Sequence, residues 1–116
     1  MEIKFAVRHG HISDETRQWI TEKLNRLVRL YDRIASIEVI VELERRETPS
    51  VELRIRAKQN EFVATAQAEG LLASVDVVLE KMEQQLRKHK ERLQDRHHRS
   101  SGREPVEPVP PSAGDS

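Results

Sequence analysis

Between Arg87 and Arg99 the chain carries Arg87, Lys88, Lys90, Arg92, Arg96 and Arg99 against only Glu91 and Asp95. Fixed positive charge at this density suits a polyanion, because each Lys or Arg that meets a phosphate releases condensed counterions. His89, His97 and His98 add charge as the pH falls. The arrangement matters more than the number. At 3.6 residues per turn, Lys81, Gln85, Lys88 and Arg92 align on one flank of a helix, and no acid shares that flank over this span. Glu80, Glu83 and Glu91 lie elsewhere around the helix, and Asp95 reaches the flank one turn later. The resulting basic ridge is about three turns long, roughly 16 Å. A smaller version occurs earlier, where Lys23, Arg26 and Arg33 share a helical flank with Trp19 and Leu30. On neighbouring helices the two flanks can line one positive groove. A plainer reading stands beside this one: charged faces of amphipathic helices are commonly just solvated, and cations near a helix C-terminus stabilise it through the dipole. Trp19 has the same two readings, stacking on a base or packing at a helix–sheet margin, and the second is preferred.

No other chemistry is legible. No nucleophile–base pair, Gly-rich phosphate loop or metal-ligand spacing occurs. His9 and His11 flank Gly10 in a turn, and His97 and His98 are adjacent near a helix end. With no cysteine in the chain and no carboxylate pattern to complete a ligand set, these read as solvated histidines. The expectation is a non-enzymatic protein with no catalytic residue, metal or cofactor.

The elements that position the basic residues follow from periodicity. Ile3, Phe5 and Val7 alternate with polar neighbours, which predicts a strand with one buried face, ended by His9-Gly10-His11. Ser13 stands as an N-cap with Asp14 and Glu15 in the first helical turn. Ile20, Leu24, Leu27, Val28 and Tyr31 then predict an amphipathic helix from about Asp14 to Asp32. Two half-buried strands follow, one with Ile37, Val39, Val41 and Leu43 inward, the other with Val51, Leu53, Ile55 and Ala57. Glutamates of the first can face arginines of the second. Thr48-Pro49-Ser50 makes the turn between them, and Gln59-Asn60 leads into a further strand over Glu61 to Ala68. After Gly70, the stripe Val75, Leu79, Met82, Leu86 and Leu93 predicts a second helix from about Leu71 to Asp95. The order is β-α-β-β-β-α. Three strands joined by short turns form an antiparallel meander, and both helices must cover its apolar face, giving an α+β two-layer sandwich.

Composition bounds the rest. The 116 residues suit one domain, and 36% hydrophobic against 34% charged residues suggests that part of the chain adds nothing to a core. That part is the C-terminus, where Pro105, Pro108, Pro110 and Pro111 fall. The expected division is a folded domain over 1–96 and a disordered Pro-rich tail over 97–116. The formal net charge is zero, so polyanion binding depends on where the charge sits. No apolar run is long enough to span a membrane and Met1-Glu2-Ile3-Lys4 is not a signal pattern, so the cytoplasm is the default location.

The segment Ala73 to Arg92, above all the run Gln85-Leu86-Arg87-Lys88-His89-Lys90, closely resembles the terminal helix of the ribosome hibernation promoting factor and ribosome-associated inhibitor A family. Arg17, Lys23-Leu24, Arg26-Leu27 and Tyr31-Asp32-Arg33-Ile34 resemble its first helix. The likeness covers about Met1 to Arg96 and is nearest to the short forms, without the second domain of the long ones. Gly70-Leu71-Leu72 departs from the family, which often has an Asp and an aromatic residue there. The resemblance implies a double-stranded-RNA-binding-domain-like fold with both helices on one face of a four-stranded sheet. It implies a translation inhibitor, monomeric off the ribosome, that occupies the messenger and transfer RNA channel of the small ribosomal subunit. The contacts would be to rRNA phosphates, with ribosomal proteins lining the channel as further partners. Carried over by position, the implied rRNA-binding residues are Lys23, Arg26, Lys81, Arg87, Lys88, Lys90 and Arg92. The face analysis favours Lys81, Lys88 and Arg92, with Arg87 pointing further round. A general double-stranded-RNA module, a protein-interaction module and, last, an enzyme are the alternatives.

Overall fold

A computed structural model describes residues 1–99, with side chains through residue 92. The elements are β1 (Glu2–Arg8), α1 (Asp14–Leu30), β2 (Ile34–Glu42), β3 (Ser50–Ala57), β4 (Glu61–Gln67) and α2 (Leu71–Arg99). They form one four-stranded sheet in the order β1-β2-β3-β4. β2, β3 and β4 make the expected antiparallel meander. β1 is parallel to β2, with Phe5 opposite Val39, so the sheet is mixed. A parallel neighbour needs a crossover, and α1 supplies it.

The inward residues form one core. Ile37, Val39 and Val41 of β2 and Val51, Leu53 and Ile55 of β3 lie under Ile20, Leu24 and Leu27 of α1 and Val75, Val78, Met82 and Leu86 of α2. Both helices therefore cover the same face. Ala64 and Ala66 are buried under α2, where small side chains let the helix approach β4 closely. On the opposite face Glu38 pairs with Arg54, and Arg56 reaches Glu61 at 3.9 Å, the cross-strand charge pairing expected from the alternation.

Local signals set the helix ends. The Ser13 hydroxyl accepts from the Thr16 backbone N–H at 3.1 Å, capping α1. α1 stops at Leu30, two residues before the expected end, and Tyr31 takes an extended conformation. α2 begins after Gly70, whose φ of +92° is open to glycine and costly for other residues. Ser74 secures this start: its buried hydroxyl donates to the Pro49 carbonyl at 2.7 Å and accepts from the Ala68 N–H at 3.0 Å. α2 continues to Arg99, past the expected end at Asp95. Arg96-His97-His98-Arg99 contains no helix breaker. The expected tail lies outside the described residues from residue 100 onward.

Candidate nucleic-acid interface

α2 has two polar flanks on either side of its buried stripe, and they face different neighbours. The first carries Lys81, Gln85, Lys88 and Arg92 and runs along the outer edge of β4. Lys81 Nζ donates to the Thr65 carbonyl at 2.9 Å, and Gln85 Nε2 donates to the Val63 carbonyl at 2.8 Å. β4 is an edge strand, so these are carbonyls that no further strand pairs. Lys88 and Arg92 are exposed and have no ion-pair partner among the described residues.

The second flank carries Asp76, Glu83, Arg87 and Lys90 and faces α1. Lys23 reaches Asp76 at 3.2 Å, and Arg26 reaches Glu83 at 3.8 Å. Arg87 bonds the same Glu83 at 3.0 Å, and Lys90 Nζ donates to the Leu30 carbonyl at the end of α1 at 3.2 Å. Lys23 also stands 4.9 Å from the centre of the Trp19 ring. Trp19 is half-buried and packs at the margin of the core, the preferred of its two expected roles.

The seven sequence-predicted positions thus fall into two groups. Lys81, Lys88 and Arg92 form the ridge on the β4 side; Lys23, Arg26, Arg87 and Lys90 line the groove between the helices. The expectation that the two flanks share one positive groove is corrected. The flanks are roughly 160° apart around α2 at 3.6 residues per turn, and α1 packs beside only one of them. The interhelical groove holds two acids with its four cations, so its charge is partly neutralised internally. Arg33 does not lie on α1 either. It follows the helix end and lines an open cleft with Tyr31, Lys58, Gln59 and Asn60. Lys58 follows the end of β3 at Ala57, in the turn to β4, so strand alternation does not show that it meets Arg33.

At the far end of β2, His9 Nδ1 and Glu42 Oε2 are 2.5 Å apart, and the Glu44 backbone N–H donates to the same oxygen at 3.0 Å. His9 takes a left-handed φ of 61°. Its hydrogen bond holds the Glu42 carboxyl below its ordinary range; burial opposes this, and the Glu44 N–H and the charges of His9 and Arg8 add to it. His9 was expected to be only solvated, yet folding places it against Glu42 with a Glu44 carboxylate nearby, the three donor atoms within 4.8 Å. The Glu42 oxygen is already occupied by two hydrogen bonds, so the group ties the end of β1 to β2. On the sheet surface, Arg54 is bound at 2.6 Å by Glu52, which raises the guanidinium pKa by hydrogen bond and by charge.

The chain matches the family model described as sigma 54 modulation protein / S30EA ribosomal protein over residues 3–94. It belongs to this family. Among its relatives is the ribosome hibernation promoting factor of Azotobacter vinelandii, 32% identical over 95% of this chain and 100% of that protein. The ribosome hibernation promoting factor of Escherichia coli (strain K12) is 26% identical over 80% of this chain and 97% of that protein. A ribosomal subunit interface protein from Coxiella burnetii superposes with a TM-score of 0.71 at 26% identity, over 78% of this chain and 98% of its own. The N-terminal domain of Thermus thermophilus Protein Y has the same fold, with a TM-score of 0.69 at 23% identity, covering 77% of this chain and 99% of that domain. The family expected from the second helix is therefore the family of the chain, and its α+β fold is the fold observed. Among the described residues no helix is long and apolar enough to cross a membrane.

Proposed function

We propose that this member of the S30EA family binds the small ribosomal subunit in its messenger and transfer RNA channel and holds ribosomes inactive. One observation carries the reading. The flank of α2 bearing Lys81, Lys88 and Arg92 carries no acid from Lys81 to Arg92, and Lys88 and Arg92 have no ion-pair partner among the described residues. Such a ridge is built to meet phosphates, and the relatives' names point to the ribosome as the polyanion. The mechanism is steric and needs no reacting group. The folded unit, monomeric off the ribosome, fills the space that messenger and transfer RNA require, in the cytoplasm where ribosomes are. Lys23, Arg26, Arg87 and Lys90 would contact rRNA through the interhelical groove, more weakly because Asp76 and Glu83 share it.

Co-sedimentation with purified ribosomal subunits across a salt series tests this. The wild-type chain is expected to pellet with the small subunit and to lose affinity steeply as salt rises. Lys88→Glu with Arg92→Glu removes two phosphate contacts and should abolish pelleting at moderate salt. A wild type that binds free duplex RNA as tightly as ribosomes would instead make the chain a general RNA module. Binding that ignores salt would make it a protein-interaction module.

A further inference from the structure

We propose that the cleft between the α1–β2 connection and the β3–β4 turn receives one unpaired RNA nucleotide, its phosphate held by Arg33 and Lys58 and its base edge by Gln59 and Asn60. The inference rests on the reading of the chain as an RNA binder and adds a subsite to it. The cleft is lined by Tyr31, Arg33, Lys58, Gln59 and Asn60 and holds about 570 Å3, within the roughly 300–1,000 Å3 typical of small-ligand sites.

Its chemistry is the argument. Arg33 and Lys58 are exposed and have no ion-pair partner among the described residues. Asp32, next to Arg33, does not line the cleft. Two cations at one cleft suit a phosphate. Gln59 and Asn60 add carboxamides, which offer a donor and an acceptor side by side and so match the edge of a base. A backbone hydrogen bond closes the turn. Ala57 N–H donates to the Asn60 carbonyl at 2.8 Å, fixing Lys58 and Gln59 at the tip of a tight turn. Tyr31 is buried as the wall and meets His89 and Phe62 edge-on at 5.7 and 6.1 Å between ring centres. Because it is buried, Tyr31 shapes the cleft and offers no stacking platform.

Position supports the assignment. Asn60 Nδ2 lies 3.4 Å from His89 Nε2 on α2. His89 immediately follows Lys88 and is three residues from Arg92, so the cleft opens at the end of the basic ridge. An RNA backbone following Lys81, Lys88 and Arg92 arrives at this cleft, where a nucleotide released from stacking can turn in. A continuous duplex cannot present one, which makes the cleft selective for single-stranded or bulged RNA.

The test uses the isotope-labelled full chain and NMR of the Gln59 and Asn60 side-chain amides. The probes are a uridine hexanucleotide, an adenosine hexanucleotide, a blunt RNA duplex and inorganic phosphate. At least one hexanucleotide is expected to move both amide signals saturably, and the duplex is expected to leave them in place. Arg33→Ala with Lys58→Ala should weaken that hexanucleotide about tenfold or more, the effect of losing charge-assisted phosphate bonds. The same variant should bind the duplex within about twofold of wild type. Both residues are exposed, so circular dichroism should show an unchanged fold. Unmoved amide signals, or a variant that binds the hexanucleotide like wild type, overturn the proposal. Phosphate alone reproducing every shift overturns it as well, leaving only an anion site. Ribosome co-sedimentation of the same samples separates the two readings. A wild type that pellets with ribosomes while the cleft stays silent ends this inference and leaves the ribosome reading standing. A cleft that fills in a chain that does not pellet supports the subsite and ends the ribosome reading.

Discussion

Lys81 Nζ donates to the backbone carbonyl of Thr65 at 2.9 Å, so a side chain of the basic ridge also caps the edge of the sheet. Gln85 does the same for Val63 one turn further along α2. The ridge thus has an anchored half and a free half. Lys81→Met should destabilise the fold by about 0.5–1.5 kcal/mol, the net contribution of one hydrogen bond. Lys88→Ala and Arg92→Ala, which lose no partner among the described residues, should each stay within about 0.5 kcal/mol of wild type. Urea denaturation checks both. Equal losses at all three positions would contradict the division.

Glu83 sits between Arg26 at 3.8 Å and Arg87 at 3.0 Å and neutralises part of the interhelical groove. All three side chains are at least partly exposed, so these pairs add little stability. Glu83→Gln should change stability by less than about 1 kcal/mol. If the groove meets rRNA, the same change should tighten ribosome binding and steepen its salt dependence. Tightening without a change in salt slope would show that the groove makes no phosphate contact.

Ser74 is fully buried and joins three segments, donating to Pro49 and accepting from Ala68 while lying on α2. Ser74→Ala leaves a buried carbonyl and an N–H without this partner. The expected cost is about 1–3 kcal/mol, that of an unsatisfied buried group. Equilibrium unfolding measures it, and a loss below a few tenths of a kcal/mol would mean that the hydroxyl is not the joint.

The Glu42 carboxyl is held below its ordinary value of 4.5, chiefly by the His9 hydrogen bond. Because folding depresses this pKa, the contribution to stability is fully present above the unfolded value and is lost as pH falls through the folded one. Glu42→Gln should therefore be less stable than wild type near neutral pH, and the gap should close below about pH 4.5. Thermal unfolding of the two chains from pH 7 to pH 3 reads this directly. A gap constant across that range would remove the ionised Glu42 carboxylate as its cause.

By itself the sequence determined the elements and the family. Alternation at Ile3, Phe5 and Val7 and helical spacing from Val75 to Leu86 are local periodicities, and each turns directly into a strand or helix with one apolar face. Both helices had to cover the same sheet face, because nothing else in the chain could. The run Gln85 to Lys90 carried the kinship that the family match bears out. The basic flank of Lys81, Lys88 and Arg92 was also legible, since it lies within one helix.

Tertiary structure decided everything that joins separate segments. Helical spacing gave each helix a flank but not which flank faces which neighbour, so Lys23 and Arg26 meet Asp76 and Glu83 instead of extending the ridge. Arg33 left its expected flank because α1 ends at Leu30, and it joined Lys58 from a turn 25 residues away in the chain. His9 gained Glu42 only once β1 lay alongside β2. Periodicity is a property of one segment, whereas these pairings depend on the packing angle of whole helices and the register of whole strands, which no single segment encodes.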